Sequence, residues 1–243
     1  MKVAAFIPAR LDSQRFPRKL LRDLNGKPVI YRTCEAVLQT GLFDTVALVT
    51  DAVEIARAVE PLPVRVFISR RHHPTGTDRI AEFAGETDAA IIVNVQGDEP
   101  FVQAEPLQKI IETFEADKAR QIDIVSLMTP IDSEEAFRNP NNVKVVTDKD
   151  GFALYFSRAP VPYPRDGKFK GAMKHIGIYA FRREALEKIA RLPQTVLEQT
   201  EKLENLRFLE NGFRIKMLAT DKLNIGIDTP EDLETARKIW KNG

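Results

Sequence analysis

Val3-Ala4-Ala5-Phe6-Ile7 runs directly into Pro8-Ala9-Arg10-Leu11-Asp12-Ser13-Gln14-Arg15-Phe16-Pro17-Arg18-Lys19, and this junction decides the fold. The apolar run is long enough for a buried strand and too short for a helix. Pro8 is expected to take the chain out of that strand. Arg10, Ser13, Arg15, Arg18 and Lys19 then fall within one short loop, and two prolines limit how far it wanders. Ligands of open α/β sheets bind past the carboxyl ends of strands, so cations and a hydroxyl collected there point to a polyphosphate site. A solvated basic turn is the plainer reading. The chain as a whole is nearly neutral, however, with 36 Lys plus Arg against 35 Asp plus Glu, so a local excess of cations needs a reason.

The length of 243 residues allows one large domain or a domain with a subdomain, and 43% hydrophobic residues can fill a core. A net charge of +1 argues against nucleic acid or an acidic membrane surface as partner. The single cysteine, Cys34, sits in a helical pattern and reads as a small core hydrophobe. A chain with no disulfide suits a reducing compartment. The apolar run before Pro8 is too short for a signal peptide, and none approaches membrane-spanning length. A cytoplasmic protein is expected.

Outward from the first strand, the pattern alternates. A turn at Asn25-Gly26-Lys27-Pro28 leads to a helix as far as about Thr40, capped by Gly41. Strands are expected at Thr45–Thr50 and Val64–Ile68, with a short helix at Val53–Val59 between them. A loop from Arg70 to Thr77 precedes a helix at Asp78–Ala84. Ala89–Val95 is the most apolar strand and is expected to be central. A helix over Ala104–Ala116 and a strand over Ile122–Met128 follow. This alternation predicts a parallel, doubly wound sheet. Beyond it the pattern changes. Val143–Thr147 and Phe152–Phe156 read as a hairpin about Asp148-Lys149-Asp150-Gly151. A Pro- and Gly-rich loop runs from Ser157 to Gly171. A strand at Lys174–Phe181, helices at Arg183–Ala190 and Leu197–Glu210, and a strand at Phe213–Ala219 follow. An extended segment from Asn224 reaches Asp228. There Thr229-Pro230-Glu231-Asp232 has the make-up of a helix start. The nucleotide-binding core is expected at about 1–130 and 215–243, with a subdomain inserted at about 131–214.

Asp98 ends the central strand and Asp228 ends a much later extended segment. Singly, each reads as a turn or capping residue. If both reach the sheet edge of the basic loop, they make a Mg²⁺ site, because that ion takes hard oxygens from one or two carboxylates plus substrate phosphates. There is no dinucleotide fingerprint and no Walker lysine motif. His72-His73 lacks the spacing of a zinc site and reads as surface loop. His175 and Tyr179 are four apart and share one face of a strand, either as packing or facing a ligand. Arg158 and Arg165 flank a loop, as solvated cations or carboxylate binders. Glu198, Glu201, Glu204 and Asn205 read as one solvated helix face.

Ile7-Pro8-Ala9-Arg10, Ser13, Arg15, Pro17 and Lys19 resemble the opening of the sugar cytidylyltransferases. Asn94-Val95-Gln96-Gly97-Asp98-Glu99-Pro100, Ala153-Leu154-Tyr155-Phe156-Ser157-Arg158, Lys174-His175-Ile176-Gly177-Ile178-Tyr179 and Asp228-Thr229-Pro230-Glu231-Asp232 narrow the resemblance to the 3-deoxy-manno-octulosonate (Kdo) branch. The resemblance implies a Rossmann-like three-layer α/β/α sandwich with a mostly parallel sheet and a smaller inserted α+β subdomain that forms a homodimer. It implies a Mg²⁺-dependent reaction of CTP with Kdo, giving CMP-Kdo and pyrophosphate for lipopolysaccharide synthesis. 8-Amino-Kdo and N-acylneuraminate are rival substrates. Carried over by position, Arg10, Lys19, Asp98 and Asp228 are catalytic, and Asp98 and Asp228 hold the metal. Pro8, Ala9, Arg10, Ser13, Arg15, Lys19, Thr75, Gly76, Thr77, Arg79 and Asp98 bind nucleotide. Gln96, Arg158, Arg165, His175, Tyr179, Glu204 and Asn205 bind the sugar. Arg18 stands where the family commonly has Gly, and Asn205 where many members have Gln.

Overall fold

The computed structural model describes residues 1–13, 16–71, 73–221 and 226–242. The chain divides into two compact units, Met1–Leu107 with Lys222–Gly243, and Gln108–Asp221.

In the first unit β1 (Val3–Ala9) is buried along its whole length. Asp23–Leu24 (β2) and Lys27–Pro28 (β3) form a small hairpin. Its turn holds Asn25 and Gly26 at positive φ, the arrangement an Asn-Gly pair tolerates best. α1 (Val29–Gln39), β4 (Thr45–Thr50), α2 (Val53–Ala58), β5 (Arg65–Ile68), α3 (Gly76–Ala81) and β6 (Ile91–Asn94) follow. The strands lie in the order β6-β1-β4-β5, and each pair is parallel. The expected parallel α/β pattern is therefore present here. Cys34 on α1 is buried, as a core hydrophobe should be.

Two local expectations change. β1 does not end at Ile7: Pro8 and Ala9 stay in register with Val49 and Thr50. α3 starts at Gly76, not Asp78, because the Thr75 hydroxyl accepts from Asp78 N at 3.1 Å and caps the helix two residues early.

α4 (Ala104–Ala116) leads to the second unit, which contains β7 (Ile124–Ile131), α5 (Glu134–Arg138), β8 (Lys144–Thr147), β9 (Ala153–Ser157), β10 (Ala172–Arg182), α6 (Arg183–Ile189), α7 (Val196–Glu201), α8 (Glu204–Glu210) and β11 (Ile215–Ala219). α9 (Pro230–Asn242) returns the chain to the first unit. In the second unit β7 pairs antiparallel with β10 and parallel with β11. By this division the second unit begins at Gln108, where the expected subdomain began at about 131. The β8–β9 hairpin lies where its turn residues placed it, with Gly151 at φ 76°. α5 was not foreseen; Ser133 caps it through Ala136 N at 3.1 Å. The single helix expected over Leu197–Glu210 is broken, because Lys202 is left-handed at φ 55°. The start of the extended segment, from Asn224, lies outside the described residues.

Candidate active site

The strand order reverses between β1 and β6: β1 leads to β4 on one side, and the chain later returns to β6 on the other. Such switch points open a crevice at the carboxyl ends of the strands. The segment after β6 is pressed into that crevice. Val95 N donates to Phe6 O at 3.1 Å, and Thr33 of α1 donates its hydroxyl to Gly97 O at 2.9 Å. A Cβ on Gly97 would stand 3.1 Å from both Pro8 O and Ile30 Cδ1, so only glycine fits without displacement. Asp98 emerges from this clamp. Ile227 N donates to Asp98 O at 2.9 Å, which brings the neighbouring Asp228 to the same place.

The start of α9 is capped by other groups. Asp232 accepts from Asp228 N and Thr229 N at 3.0 and 2.8 Å, and Thr229 accepts from Asp232 N at 3.2 Å. The Asp228 carboxylate is thus directed to another use. Its Oδ1 lies 2.8 Å from Lys19 Nζ, which also donates to Asp98 Oδ2. Burial works against the Lys19 charge, but the two carboxylates outweigh it and hold the ammonium above its ordinary pKa.

These groups line an open cleft of about 990 Å³ together with Arg10, Ser13, Arg18 and Gln96. Its size suits a nucleotide. Arg15 lies outside the described residues. Arg18 is left-handed at φ 57°. That conformation costs a non-glycine residue about 1–2 kcal/mol. Its guanidinium meets Glu54 at 3.3 Å, with both side chains more than half exposed. Such a pair is worth less than about 1 kcal/mol.

Residues 75–79 are the N-cap and first turn of α3. A Cβ on Gly76 would lie 3.3 Å from Pro8 Cγ and 3.6 Å from Gln96 Nε2, so this turn sits directly over the ends of β1 and β6. Thr77 is buried. Arg79 was expected to help select cytosine, but its guanidinium donates to Ala9 O at 3.0 Å and Asp51 at 2.8 Å. Those contacts tie the ends of β1 and β4 together. Burial opposes the Asp51 charge, yet Arg79 holds that carboxyl below its ordinary value. His73, expected in a surface loop, is half-buried and bridges Ser69 (3.1 Å) and Glu82 (2.8 Å). His72 lies outside the described residues.

A second cluster lies in the second unit. His175 and Tyr179 have ring centroids 5.1 Å apart, although strand alternation alone does not bring them there. β10 bulges between Ile176 and Tyr179, and Ser126 of β7 fills the bulge by donating to Ile178 O at 2.8 Å. Burial pushes the His175 imidazole down to about 3. Burial, then the charge of Glu204, pushes the Tyr179 hydroxyl well up. Phe208 of α8 packs edge-on against Tyr179. Asn205 on the same helix is 1% exposed, with no partner for either amide atom. The expectation of one solvated helix face is overturned. Glu198 and Asn205 are both buried, and Glu198 pairs with Arg207 at 3.3 Å. The break at Lys202 separates α8 from α7.

Arg158 is engaged by the protein. It donates to Glu201 O at 2.7 Å and Pro140 O at 3.1 Å. Sequence reasoning missed Lys144, which is fully buried and donates to the carbonyls of Asn139, Asn142 and Arg158 at 3.1, 2.7 and 2.6 Å. A lysine at the head of an apolar strand was its only signal. Arg165 lines a separate cleft of about 470 Å³ with Phe137, Tyr163 and Phe169. Within this unit His175 and Tyr179 pack together and α8 carries Glu204 and Asn205 on the helix that packs on Tyr179, while Arg158 is bonded to Glu201 and Pro140 and Arg165 lines its own cleft.

Among the described residues no group of three His, Cys, Asp or Glu converges; the carboxylates that meet at the cleft are those of Asp98 and Asp228. The donor set suits Mg²⁺: two carboxylates already share one cation, and substrate phosphates would supply further hard oxygens.

The fold and the cleft define the class, a nucleotidyltransferase on an open parallel sheet. The family model described as cytidylyltransferase matches residues 4–217. A 3-deoxy-manno-octulosonate cytidylyltransferase of Christiangramia forsetii is 51% identical over 239 residues, covering 98% of this chain and 96% of that protein. The protein of the same name in Flavobacterium johnsoniae is 51% identical over 244 residues, covering 100% of both. The solved structure of CMP:2-keto-3-deoxy-manno-octonic acid synthetase complexed with CTP matches with a TM-score of 0.93 at 36% identity, covering 100% of this chain and 99% of that one. The chain belongs to the cytidylyltransferase family, and within it to the 3-deoxy-manno-octulosonate cytidylyltransferases. No helix of the described residues is long and apolar enough to cross a membrane.

Proposed function

We propose that the enzyme transfers CMP from CTP to the anomeric hydroxyl of Kdo, releasing pyrophosphate. The observation that carries this reading is the convergence of Lys19, Asp98 and Asp228 at the switch-point cleft. Triphosphate and the Kdo carboxylate are both anionic, so the barrier is chiefly electrostatic. Arg10 and Lys19 hold the phosphates and offset the charge that develops on the leaving pyrophosphate. One such contact is worth roughly 3–4 kcal/mol of barrier. Asp98 and Asp228 would hold Mg²⁺, which would supply neutralisation of phosphate charge and acidification of the attacking hydroxyl. Pro8, Ala9, Ser13, Thr75, Gly76 and Thr77 shape the nucleotide side of the cleft, and Arg15 joins them by resemblance alone.

The His175 cluster, with Glu204 and Asn205, binds the sugar. Ser126 donates its hydroxyl proton to a backbone carbonyl, so His175 Nε2 donates to Ser126 at 3.0 Å. Nδ1 then remains an acceptor for a sugar hydroxyl. The low pKa keeps this ring neutral throughout the working range. Asn205 holds an unpaired amide in a buried place, a cost that a sugar hydroxyl removes. Gln96, Arg158 and Arg165 complete the set by resemblance.

The enzyme works as a cytoplasmic homodimer supplying lipopolysaccharide synthesis. The exposed apolar residues Leu154, Tyr163 and Val196 support self-association through the second unit. The test is pyrophosphate release from CTP with Kdo present or absent and with Mg²⁺ present or chelated. Release that depends on both is expected. Release with N-acetylneuraminate but not Kdo overturns the sugar assignment.

A further inference from the structure

Arg18 is the residue of the basic loop whose conformation and contacts do not balance. Its backbone is left-handed at φ 57° and ψ 29°, a region that disfavours any residue with a Cβ. The conformation serves the loop: Leu21 N donates to Arg18 O at 3.0 Å, which starts the tight turn Lys19–Leu21 and aims Lys19 at the carboxylates. Glycine would make the same turn without strain. The arginine side chain gains little structurally in return. Its ion pair among the described residues, to Glu54 of α2 at 3.3 Å, joins groups 55% and 51% exposed. A pair so solvated is weak and readily exchanged. The same side chain lines the switch-point cleft beside Arg10, Ser13 and Lys19. A planar guanidinium there can meet two oxygens of a phosphate at once, and a polyphosphate carries more charge than one exposed carboxylate.

We propose that Arg18 is a substrate-binding residue for the polyphosphate arm of the nucleotide, exchanging Glu54 for phosphate oxygens when CTP binds. The inference rests on the reading of the cleft as the CTP site and adds a contact to it. Glu54 holds the guanidinium until the nucleotide binds, and the left-handed backbone is retained because Lys19 needs the turn.

The test compares wild type with Arg18→Gly, Arg18→Lys and Glu54→Gln. For Arg18→Gly, KM for CTP and the inhibition constant of pyrophosphate are each expected to rise about five- to twentyfold. Inhibition by CMP should change less than twofold, because CMP lacks the polyphosphate arm. The melting temperature should equal or exceed that of wild type, since glycine relieves the strain. Arg18→Lys should restore part of the CTP affinity, and Glu54→Gln should leave KM for CTP unchanged or lower. An Arg18→Gly enzyme with unaltered pyrophosphate inhibition overturns the proposal. So does one that melts several degrees below wild type, which marks a structural role. Failure of wild type to release pyrophosphate from CTP and Kdo refutes the underlying reading instead.

Discussion

Lys19→Met separates the two tasks assigned to one ammonium. In the structure that ammonium sits between Asp98 and Asp228, with side-chain exposures of 15%, 21% and 47%. Removing one partner of a fully buried ion pair costs about 3–5 kcal/mol. Asp228 is half exposed, so solvent screens part of this, and about 2 kcal/mol remains at neutral pH. For a chain of this size that corresponds to a fall of roughly 4–8 °C in melting temperature. The loss arises from two carboxylates left facing each other, so a divalent cation should repair it. Thermal melts in chelator and in millimolar Mg²⁺ are expected to show a larger metal-induced rise for the variant than for wild type. Activity should not follow stability: with Mg²⁺ present, kcat/KM for CTP should still be down about a hundred- to a thousandfold, because the phosphate contact is gone. Two results refute this reasoning: a metal-free melting temperature within a degree of wild type, or identical Mg²⁺-induced shifts in both proteins.

Three further outcomes follow from single positions. Gly97→Ala puts a Cβ 3.1 Å from the backbone oxygen of Pro8, and overpacking of this kind costs about 1–3 kcal/mol; an unchanged urea midpoint would show that the clamp is loose. Asn205→Leu removes a buried, unpartnered amide and should hold or raise stability while raising KM for Kdo and sparing KM for CTP; equal effects on both substrates would end its assignment to the sugar. His175 carries a pKa of about 3 against an ordinary 6.5, so between these values the unfolded chain takes up a proton that the folded one refuses. The stability it protects is complete above pH 6.5 and is lost as pH falls toward 3, at up to about 1.4 kcal/mol per unit. His175→Gln should flatten that slope by one proton, as denaturant titrations from pH 4 to 7.5 will read.

Much of this was legible because it is local. The apolar run into Pro8, the Asn25-Gly26 turn, the hairpin about Gly151 and the Thr229-Pro230 helix start are each decided by a few adjacent residues, whose φ preferences and capping groups act within one turn. Misreadings came where a distant partner overruled a local preference. Pro8 stays in β1 because β4 runs beside it. The helix expected over Leu197–Glu210 breaks at Lys202, a residue with no local signal for a left-handed conformation. The bonds of Arg79 to Asp51 and Ala9 had no local signal either, because both partners lie far along the chain.

The chain's own order of residues thus determined the alternating first unit, the basic loop and the presence of two candidate carboxylates. Only the tertiary structure decided that Lys19 lies between those carboxylates, 79 and 209 residues away along the chain. The reason is physical. Periodicity and capping are short-range. The meeting of these three side chains depends on the switch in strand order, on the Gly97 clamp and on the bond from Ile227 N to Asp98 O, and no window of sequence contains all of them.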